Sequence, residues 1–183
     1  MPVKPNFNPD FLYFVTTNAV NRFHLFQHDS AKRVIADSFH FLRTSGRMNL
    51  YVFVVMPNHI QFIARFSKDC TLVDMMRDFK RHTARQIIRE LQAREKEKSL
   101  SLLRQANTDA RQVYKVWEDN YDGRDVFCPE FLQQKIDYIH WNPCQVQWKL
   151  AENPEENPWS SARFYMAEQP AIIPVDDVRE LFA

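Results

Sequence analysis

The chain has 183 residues, 45% hydrophobic and 26% charged, and this predicts one globular domain over 1–183, with its core in about 11–165 and a tail over 166–183. The formal net charge of +1 gives no overall sign of a nucleic-acid-binding protein, so any basic surface must be local. Only two glycines occur, Gly46 and Gly123, which excludes a phosphate-binding loop and a dinucleotide-binding motif and argues against a nucleotide cofactor.

The first two elements are predicted by residue type and by helix-end signals. Phe11–Ala19 is rich in aromatic and β-branched residues, which favour a strand. A helix is predicted to follow, with Asp29 or Ser30 as its N-terminal cap and Gly46 at its end, because short polar side chains satisfy the first amide groups and glycine accepts a positive φ.

Two neighbouring strands are predicted next. Leu50–Met56 is a nearly continuous apolar run of strand length, which is typical of a strand covered on both faces. Pro57 and Asn58 interrupt it. His59–Phe66 then alternates between the two sides of a further strand.

Leu72–Arg94 is the longest predicted helix and has two distinct sides. Apolar and small residues at helical spacing form its predicted core side: Val73, Met76, Phe79, Thr83, Ile87 and Leu91. Arginines advance four residues at a time along another side: Arg77, Arg81, Arg85 and Arg89. Such a stripe is compatible with an ordinary solvated surface and equally with a ridge that contacts phosphates.

The middle of the chain is more irregular. Gln92–Gln112 is polar and loses clean periodicity, so we predict the tail of a helix followed by a mobile surface insertion. Val113–Trp117 predicts another strand, followed by a turn at Asp122 and Gly123.

Glu130–Asn142 predicts a helix with three residues facing the core: Leu132, Ile136 and Ile139. Tyr138 and Asn142 are four residues apart, so they share one side of this helix, about a quarter-turn from the core face. The tyrosine hydroxyl is therefore predicted to reach solvent or a substrate.

The C-terminal part predicts two short helices. Ser160 or Ser161 is the expected cap of the first, with Trp159 as a packing anchor. Val175–Phe182 is the expected second helix, because Pro174 precedes it and an acidic residue lies in its first turn.

Chemistry is suggested by His59, Gln61 and Asn142. His59 and Gln61 are two apart on a strand and project from the same face, and an imidazole nitrogen with two amide oxygens could share a divalent ion, Mg²⁺ or Mn²⁺ rather than structural zinc. Spacing alone favours other roles, a hydrogen-bonded structural histidine at His59 and a half-buried core tyrosine at Tyr138.

The order of several segments carries a resemblance to a known family. Strand, helix, Met56-Pro57-Asn58-His59-Ile60-Gln61, a long basic helix, Tyr138-Ile139-His140-Trp141-Asn142-Pro143 and Pro158-Trp159-Ser160-Ser161-Ala162 together resemble the single-tyrosine HUH transposases. More narrowly, they resemble the REP-associated tyrosine transposases, which are IS200-like. The resemblance implies an α/β sandwich (α+β) of an antiparallel sheet with packed helices, the ferredoxin-like HUH endonuclease fold.

The resemblance also implies roles for particular residues. Tyr138 falls on the nucleophile, and His59, Gln61 and Asn142 fall on ligands of Mg²⁺ or Mn²⁺, with Gln61 replacing the family's second histidine. The implied reaction cuts and rejoins hairpin-bearing single-stranded DNA through a 5′-phosphotyrosine. Four basic residues are the expected DNA contacts: Arg77, Lys80, Arg81 and Arg85. In the same helix as Tyr138, we expect a structural or hydrogen-bonding His140 and a packed Trp141, with base stacking as the alternative role of Trp141.

Two other functions stay open. The chain could be a domesticated protein that binds hairpin DNA and cuts it weakly or not at all, or a metal-dependent hydrolase in which Tyr138 is incidental. We expect a monomer or homodimer without membrane contact. Its three cysteines are widely spaced and its N-terminal segment Met1–Asp10 does not resemble a signal peptide, so a cytoplasmic location is expected.

Overall fold

The centre of the molecule is a four-stranded antiparallel sheet. The computed structural model describes residues 7–182, so most of the expectation for Met1–Asp10 lies outside the described residues. The strands are Leu12–Asn18 (β1), Met48–Val55 (β2), His59–Phe66 (β3) and Asp122–Val126 (β4). They lie in the order β2-β3-β1-β4, with every neighbouring pair antiparallel. This is the order of a ferredoxin-like split βαβ arrangement, and it confirms the predicted fold class.

Helices cover both faces of this sheet. They are Asp29–Thr44 (α1), Leu72–Ala93 (α2), Glu97–Gln105 (α3), Pro129–Trp141 (α4) and Ala162–Ala167 (α5). The two crossover helices α1 and α2 pack together on one face, where Phe39 of α1 stacks on Phe79 of α2 and meets Phe62 of β3 edge-on. The apolar side of α4 packs on the opposite face, against β2 and β3.

The apolar run of β2 is buried on both sides, as predicted. Leu50 and Phe53 belong to the core beneath α1 and α2, whereas Val52 and Val54 belong to the core beneath α4. A register irregularity between Leu50 and Val52 interrupts the strict alternation of the strand. The predicted strand at His59–Phe66 is also confirmed.

The predicted fourth strand is misplaced. Val113–Trp117 forms no strand, and within it only Trp117 makes an isolated bridge, with Ala19. The fourth strand is Asp122–Val126, where a turn was expected. This edge strand is half-exposed and polar, so it lacks the apolar run that marks a buried strand, whereas Trp117 is buried by side-chain packing 4.9 Å from the ring of Phe26.

Further expectations around the helices are wrong. The supposed mobile insertion contains α3, which is anchored by two buried leucines, Leu100 and Leu103. Val73, expected on the core side of α2, is 50% exposed. At the start of α1 the cap position is His28, without a side-chain capping bond, and Asp29 is already helical. The last predicted helix is a 3₁₀ segment, Val178–Phe182.

Among the described residues, no helix combines the length and the apolar character needed to cross a membrane.

Candidate active site

The four residues expected to carry chemistry line one cavity. It has a volume of about 590 Å³, lies on the α4 side of the sheet, and includes His59, Gln61, Tyr138 and Asn142. A larger cavity of about 810 Å³ lies between α2 and residues 112–121. Because none of those four residues lines the larger cavity, we take the smaller one as the candidate active site.

Three of these side chains are joined by hydrogen bonds. The Nδ2 group of Asn142 donates to Oε1 of Gln61 at 2.8 Å and lies 3.2 Å from Nε2 of His59. Asn142 follows α4 directly and keeps helical backbone angles, so the helix end delivers its amide to β3. Gln61 and Asn142 are both buried, at 3% exposure each, so the rotamers of both side chains are restricted.

A second amide fixes the tautomer of His59. Asn58 donates from Nδ2 to the carbonyl of Arg22 at 3.2 Å, so its Oδ1 faces Nδ1 of His59, 2.7 Å away. Nδ1 therefore carries the proton, and Nε2 presents its lone pair towards Asn142. Burial, helped by the charge of Arg22, lowers the pKa of His59 to about 4, which keeps the imidazole neutral at pH 7.

This arrangement fits a divalent cation. Two lone pairs, on Nε2 of His59 and Oε1 of Gln61, converge on a single point where Asn142 now places an NH₂ group. If that amide turns over, Asn142 presents its oxygen instead, giving one nitrogen and two oxygen donors, a set suited to Mg²⁺ or Mn²⁺. Residues 7–182 contain no cluster of three His, Cys, Asp or Glu side chains placed for a metal, and the groups that meet here are one imidazole and two amides.

The sheet register places two more groups in the same cavity. Gln61 pairs with Thr16, and Thr16 pairs with Asp122 on its other side. Residues directly opposite each other share a face, so Asp122 and, two residues on, Arg124 both project towards the site. They form an ion pair at 3.1 Å and both side chains are about half exposed. These two groups were not predicted, because their strand was read as a turn.

Tyr138 presents its hydroxyl without an internal partner. The side chain is 45% exposed, and the hydroxyl makes no hydrogen bond to any residue in the described part of the chain. Its ring meets Phe14 of β1 edge-on, with 6.3 Å between centroids. Lys135, one turn earlier on α4, places its Nζ 5.6 Å from the Tyr138 ring centroid. The tyrosine is thus held by its ring, while its oxygen stays open to a substrate.

The position of α4 is secured by His140, which has no exposed surface. Its Nε2 lies 2.9 Å from Oγ of Ser161, and that Oγ in turn accepts the amide hydrogen of Phe53 at 3.0 Å. Burial lowers the pKa of His140 to about 4, so the ring is neutral at pH 7. The structural role expected for His140 is confirmed. The packed role expected for Trp141 is wrong, since half of its surface is exposed.

Ser161 thus ties α4 to β2 instead of capping α5 with its side chain, which makes no capping bond. The neighbouring Ser160 accepts the amide hydrogen of Ala162 at 3.1 Å. Trp159 is buried, as expected of a packing anchor.

The structure separates the predicted DNA contacts from the site. Arg77, Lys80, Arg81 and Arg85 line the larger cavity, on the side of the sheet that α2 covers. Arg77 pairs with Asp74 at 2.7 Å.

Arg81 is likewise paired, with Asp78 at 3.0 Å. Lys80 does not fit the expected role: its Nζ donates to the carbonyls of Glu118 and Asn120 at 2.9 Å each and to that of Asp119 at 3.4 Å. Burial lowers the pKa of Lys80 to about 8. The lysine thus holds residues 118–120 against α2, which occupies the ammonium group that was expected to contact phosphate.

Comparisons with known proteins agree with this architecture. Residues 10–105 match the family model described as IS200-like transposase, a span that includes His59 and Gln61 but ends before Tyr138. A solved REP-associated tyrosine transposase bound to a REP hairpin is similar over 97% of this chain and 93% of its own, with a TM-score of 0.61 and 16% identity. A candidate transposase from Deinococcus radiodurans R1 is similar over 76% of this chain and 95% of its own, with a TM-score of 0.47 and 15% identity. No curated protein sequence matches the chain.

Proposed function

The chain belongs to the IS200-like transposase family, and on that basis we propose that it cuts and rejoins hairpin-bearing single-stranded DNA with Tyr138 as its nucleophile. The observation that supports this most directly is the shared cavity: an open phenol hydroxyl and the donors of His59, Gln61 and Asn142 line one space. The similarity to a solved REP-associated transposase supports the fold in which these residues meet. Hairpin DNA is proposed by analogy with the hairpin in that structure, and the single-stranded flanks belong to the proposed cut in an unpaired strand.

The proposed chemistry is a transesterification. Oη of Tyr138 attacks the scissile phosphorus, the bond from phosphorus to the 3′-oxygen breaks, and the phenol proton is lost to solvent while the leaving oxygen takes up a proton. The products are a 5′-phosphotyrosine and a free 3′-hydroxyl. Attack by another 3′-hydroxyl reverses the step and joins the strands. The number of phosphodiester bonds is conserved, so no ATP is needed.

A free phenol has a pKa of about 10, so it is a weak nucleophile at pH 7 unless the phosphate is activated. A divalent ion held by His59, Gln61 and Asn142 would neutralise charge on the phosphate oxygens. The chain itself contributes orientation: α4 fixes Tyr138, and the lone pairs of the neutral His59 and of Gln61 are already convergent. Lys135 supplies a positive charge within the cavity.

The duplex stem of the hairpin has a separate proposed contact. Arg77, Arg81 and Arg85 line the larger cavity, and Arg85 forms no ion pair within residues 7–182. We assign to these arginines contacts with stem phosphates. Since Arg77 and Arg81 are already in ion pairs with aspartates, Arg85 is expected to contribute the most to binding the stem.

A second candidate function is favoured by one observation. Gln61 offers an amide where the family has a histidine, and in the structure it accepts a hydrogen bond from Asn142. An amide is a weaker ligand than imidazole for many divalent ions. The alternative is therefore a protein that recognises hairpin DNA but cuts it slowly or not at all.

The discriminating experiment mixes the protein with end-labelled hairpin DNA that carries single-stranded flanks, in Mg²⁺ or Mn²⁺. The proposed enzyme forms a covalent adduct that is absent in Tyr138→Phe, whereas Tyr114→Phe, which changes a tyrosine of the larger cavity, leaves the adduct intact. Tight binding with no adduct in either metal supports the binding protein. Cleavage that persists in Tyr138→Phe means that a hydrolytic mechanism is at work instead.

A further inference from the structure

An aromatic stripe runs along α4 and ends at Tyr138. Within α4, Phe131, Lys135 and Tyr138 follow one another at intervals of four and three residues, which places them on one side, and Phe127, just before the helix, stacks on Phe131. Phe127 and Phe131 are stacked, with centroids 5.3 Å apart and planes 13° from parallel. We call these residues the α4 stripe.

The outer end of the stripe has no packing role in the fold. Phe127 is 74% exposed, so its ring stabilises little of the folded core and leaves apolar surface in water. It belongs to neither core cluster of the sheet. The exposed ring of Phe127 lies against the partly buried ring of Phe131, and Lys135 and Tyr138 on the same side of α4 line the candidate active-site cavity. The ring pair therefore offers a surface on which another flat group can stack.

The stripe also contains an unpaired positive charge. The Nζ of Lys135 lies 5.0 Å from the Phe131 ring centroid and 4.9 Å from that of Phe14, on the neighbouring strand β1. Within residues 7–182 it forms no ion pair with a carboxylate, in contrast to Arg77 and Arg81 on α2. The charge is therefore free to meet an anion beside the aromatic rings.

Stacking rings combined with a cation match one class of ligand. Unpaired bases stack on aromatic side chains whatever their sequence, and the phosphates between them are anionic. A duplex stem fits this surface poorly, because its bases already stack on each other and are covered by the backbone. The continuity with Tyr138 also places the ligand next to the phosphate to be cut.

We propose that the α4 stripe binds the single-stranded DNA that flanks the scissile phosphate, with bases stacked on Phe127 and Phe131 and a phosphate held by Lys135. This inference rests on the proposed function and specifies where the strand runs. The hairpin stem remains assigned to the arginines of α2, so the two surfaces are tested by different parts of the DNA.

The experiment measures the affinity of the full chain for hairpins with single-stranded flanks of zero to eight nucleotides on either side. Wild-type affinity is expected to increase with the length of one flank. Phe127→Ala should lower the affinity for the flanked hairpin by about tenfold, which corresponds to the loss of roughly one stacked base. Its affinity for the blunt hairpin should be unchanged. Phe41→Ala is the matched control, since Phe41 is 61% exposed on α1, at the other side of the sheet.

Two further readouts locate the contact. Lys135→Met keeps an apolar side chain of similar length but removes the charge. It should reduce the slope of log affinity against log salt concentration by about 0.7, the value for one phosphate of single-stranded DNA. DNA with 5-iodouracil in the flank should photocrosslink to Phe127 or Phe131, as identified by mass spectrometry.

If the increase with flank length survives Phe127→Ala, or the crosslinks fall elsewhere, the stripe is not the binding surface. Covalent adduct formation by the wild type is scored separately on the same DNA. If the wild type forms the adduct and Phe127→Ala keeps the gain in affinity with flank length, only the proposed binding role of the α4 stripe is overturned. If Phe127→Ala loses that gain in affinity and the wild type forms no adduct, the binding role of the α4 stripe is supported and the cleavage mechanism is overturned.

Discussion

Replacing Asn142 with alanine removes the one group that serves both His59 and Gln61. Two hydrogen bonds are lost, at 2.8 and 3.2 Å, and each contributes about 0.5–1.5 kcal/mol. Water in the cavity can replace part of them, so we expect metal-free Asn142→Ala to be destabilised by about 1–2 kcal/mol. For a domain of this size that corresponds to a decrease in Tm of about 2–8 °C.

The same substitution should affect metal binding far more than folding. A ligand bound only by the folded state at a hundred times its Kd adds about 2.7 kcal/mol to stability, so Mn²⁺ should raise the Tm of the wild type in thermal melts. Asn142→Ala should lose most of that increase and form the DNA adduct at least about tenfold more slowly, since even residues that only support metal ligands have effects of that size. Gln147→Ala, an exposed amide at the edge of the same cavity, is the control. A wild-type Mn²⁺ response and adduct rate in Asn142→Ala would show that this residue is not a ligand.

Three other outcomes are expected. Gln61→His should strengthen the Mn²⁺ response and speed adduct formation, because imidazole is the better donor; an unchanged rate would mean that Gln61 does not limit cleavage. Burial alone would raise the pKa of Asp176, but the Arg43 guanidinium, 2.8 Å away, and a backbone amide hold it below its ordinary value of 3.8. The stability contributed by this carboxylate is therefore present above pH ~3.9 and lost as the pH falls through the lower pKa of the folded state. In urea unfolding, Asp176→Asn should lower the free energy of unfolding by about 1–3 kcal/mol at pH 7 and by almost nothing in strong acid, where both forms are uncharged; a loss that is equal at both pH values would contradict this. Arg85→Ala should lower the salt dependence of stem binding by about one phosphate, whereas the same change at Arg89, which does not line the larger cavity, should have no effect; equal slopes for the two variants would remove the arginines from the stem contact.

The parts of the fold that were correctly predicted from sequence are those in which buried residues form a regular apolar pattern along the chain. Leu50–Met56 and the apolar positions of α4 identify their elements because one or both faces contact a core. Asp122–Val126 was missed because it is held by backbone pairing to β1 and none of its residues is buried. Trp117 misled the prediction for the opposite reason: its burial comes from helix packing, and its Nε1–H donates to Thr83 of α2.

The candidate site divides in the same way. The register of β3 and the spacing of α4 predicted that His59 and Gln61 share a face and that Tyr138 lies on a flank, and the structure agrees with both. Which side of the sheet each helix covers is decided by chain crossings that local periodicity does not encode. For that reason the sequence did not reveal that the arginines of α2 lie across the sheet from the candidate site, and Lys135 and Asp122 were overlooked.

The link from His140 through Ser161 to the backbone of Phe53 has a consequence for the order in which the protein is made. His59 and Gln61 are synthesised long before Tyr138, and the hydroxyl that connects α4 to β2 comes 23 residues after the tyrosine, at Ser161. A nascent chain can thus assemble the sheet early, since domains fold from the N-terminal side during synthesis. The hydroxyl that links α4 to β2 becomes available only once residue 161 has emerged. If the proposed cleavage is correct, chains truncated before Ser161 are therefore expected to form the Tyr138 adduct more slowly than the full chain, because they lack the link between α4 and β2.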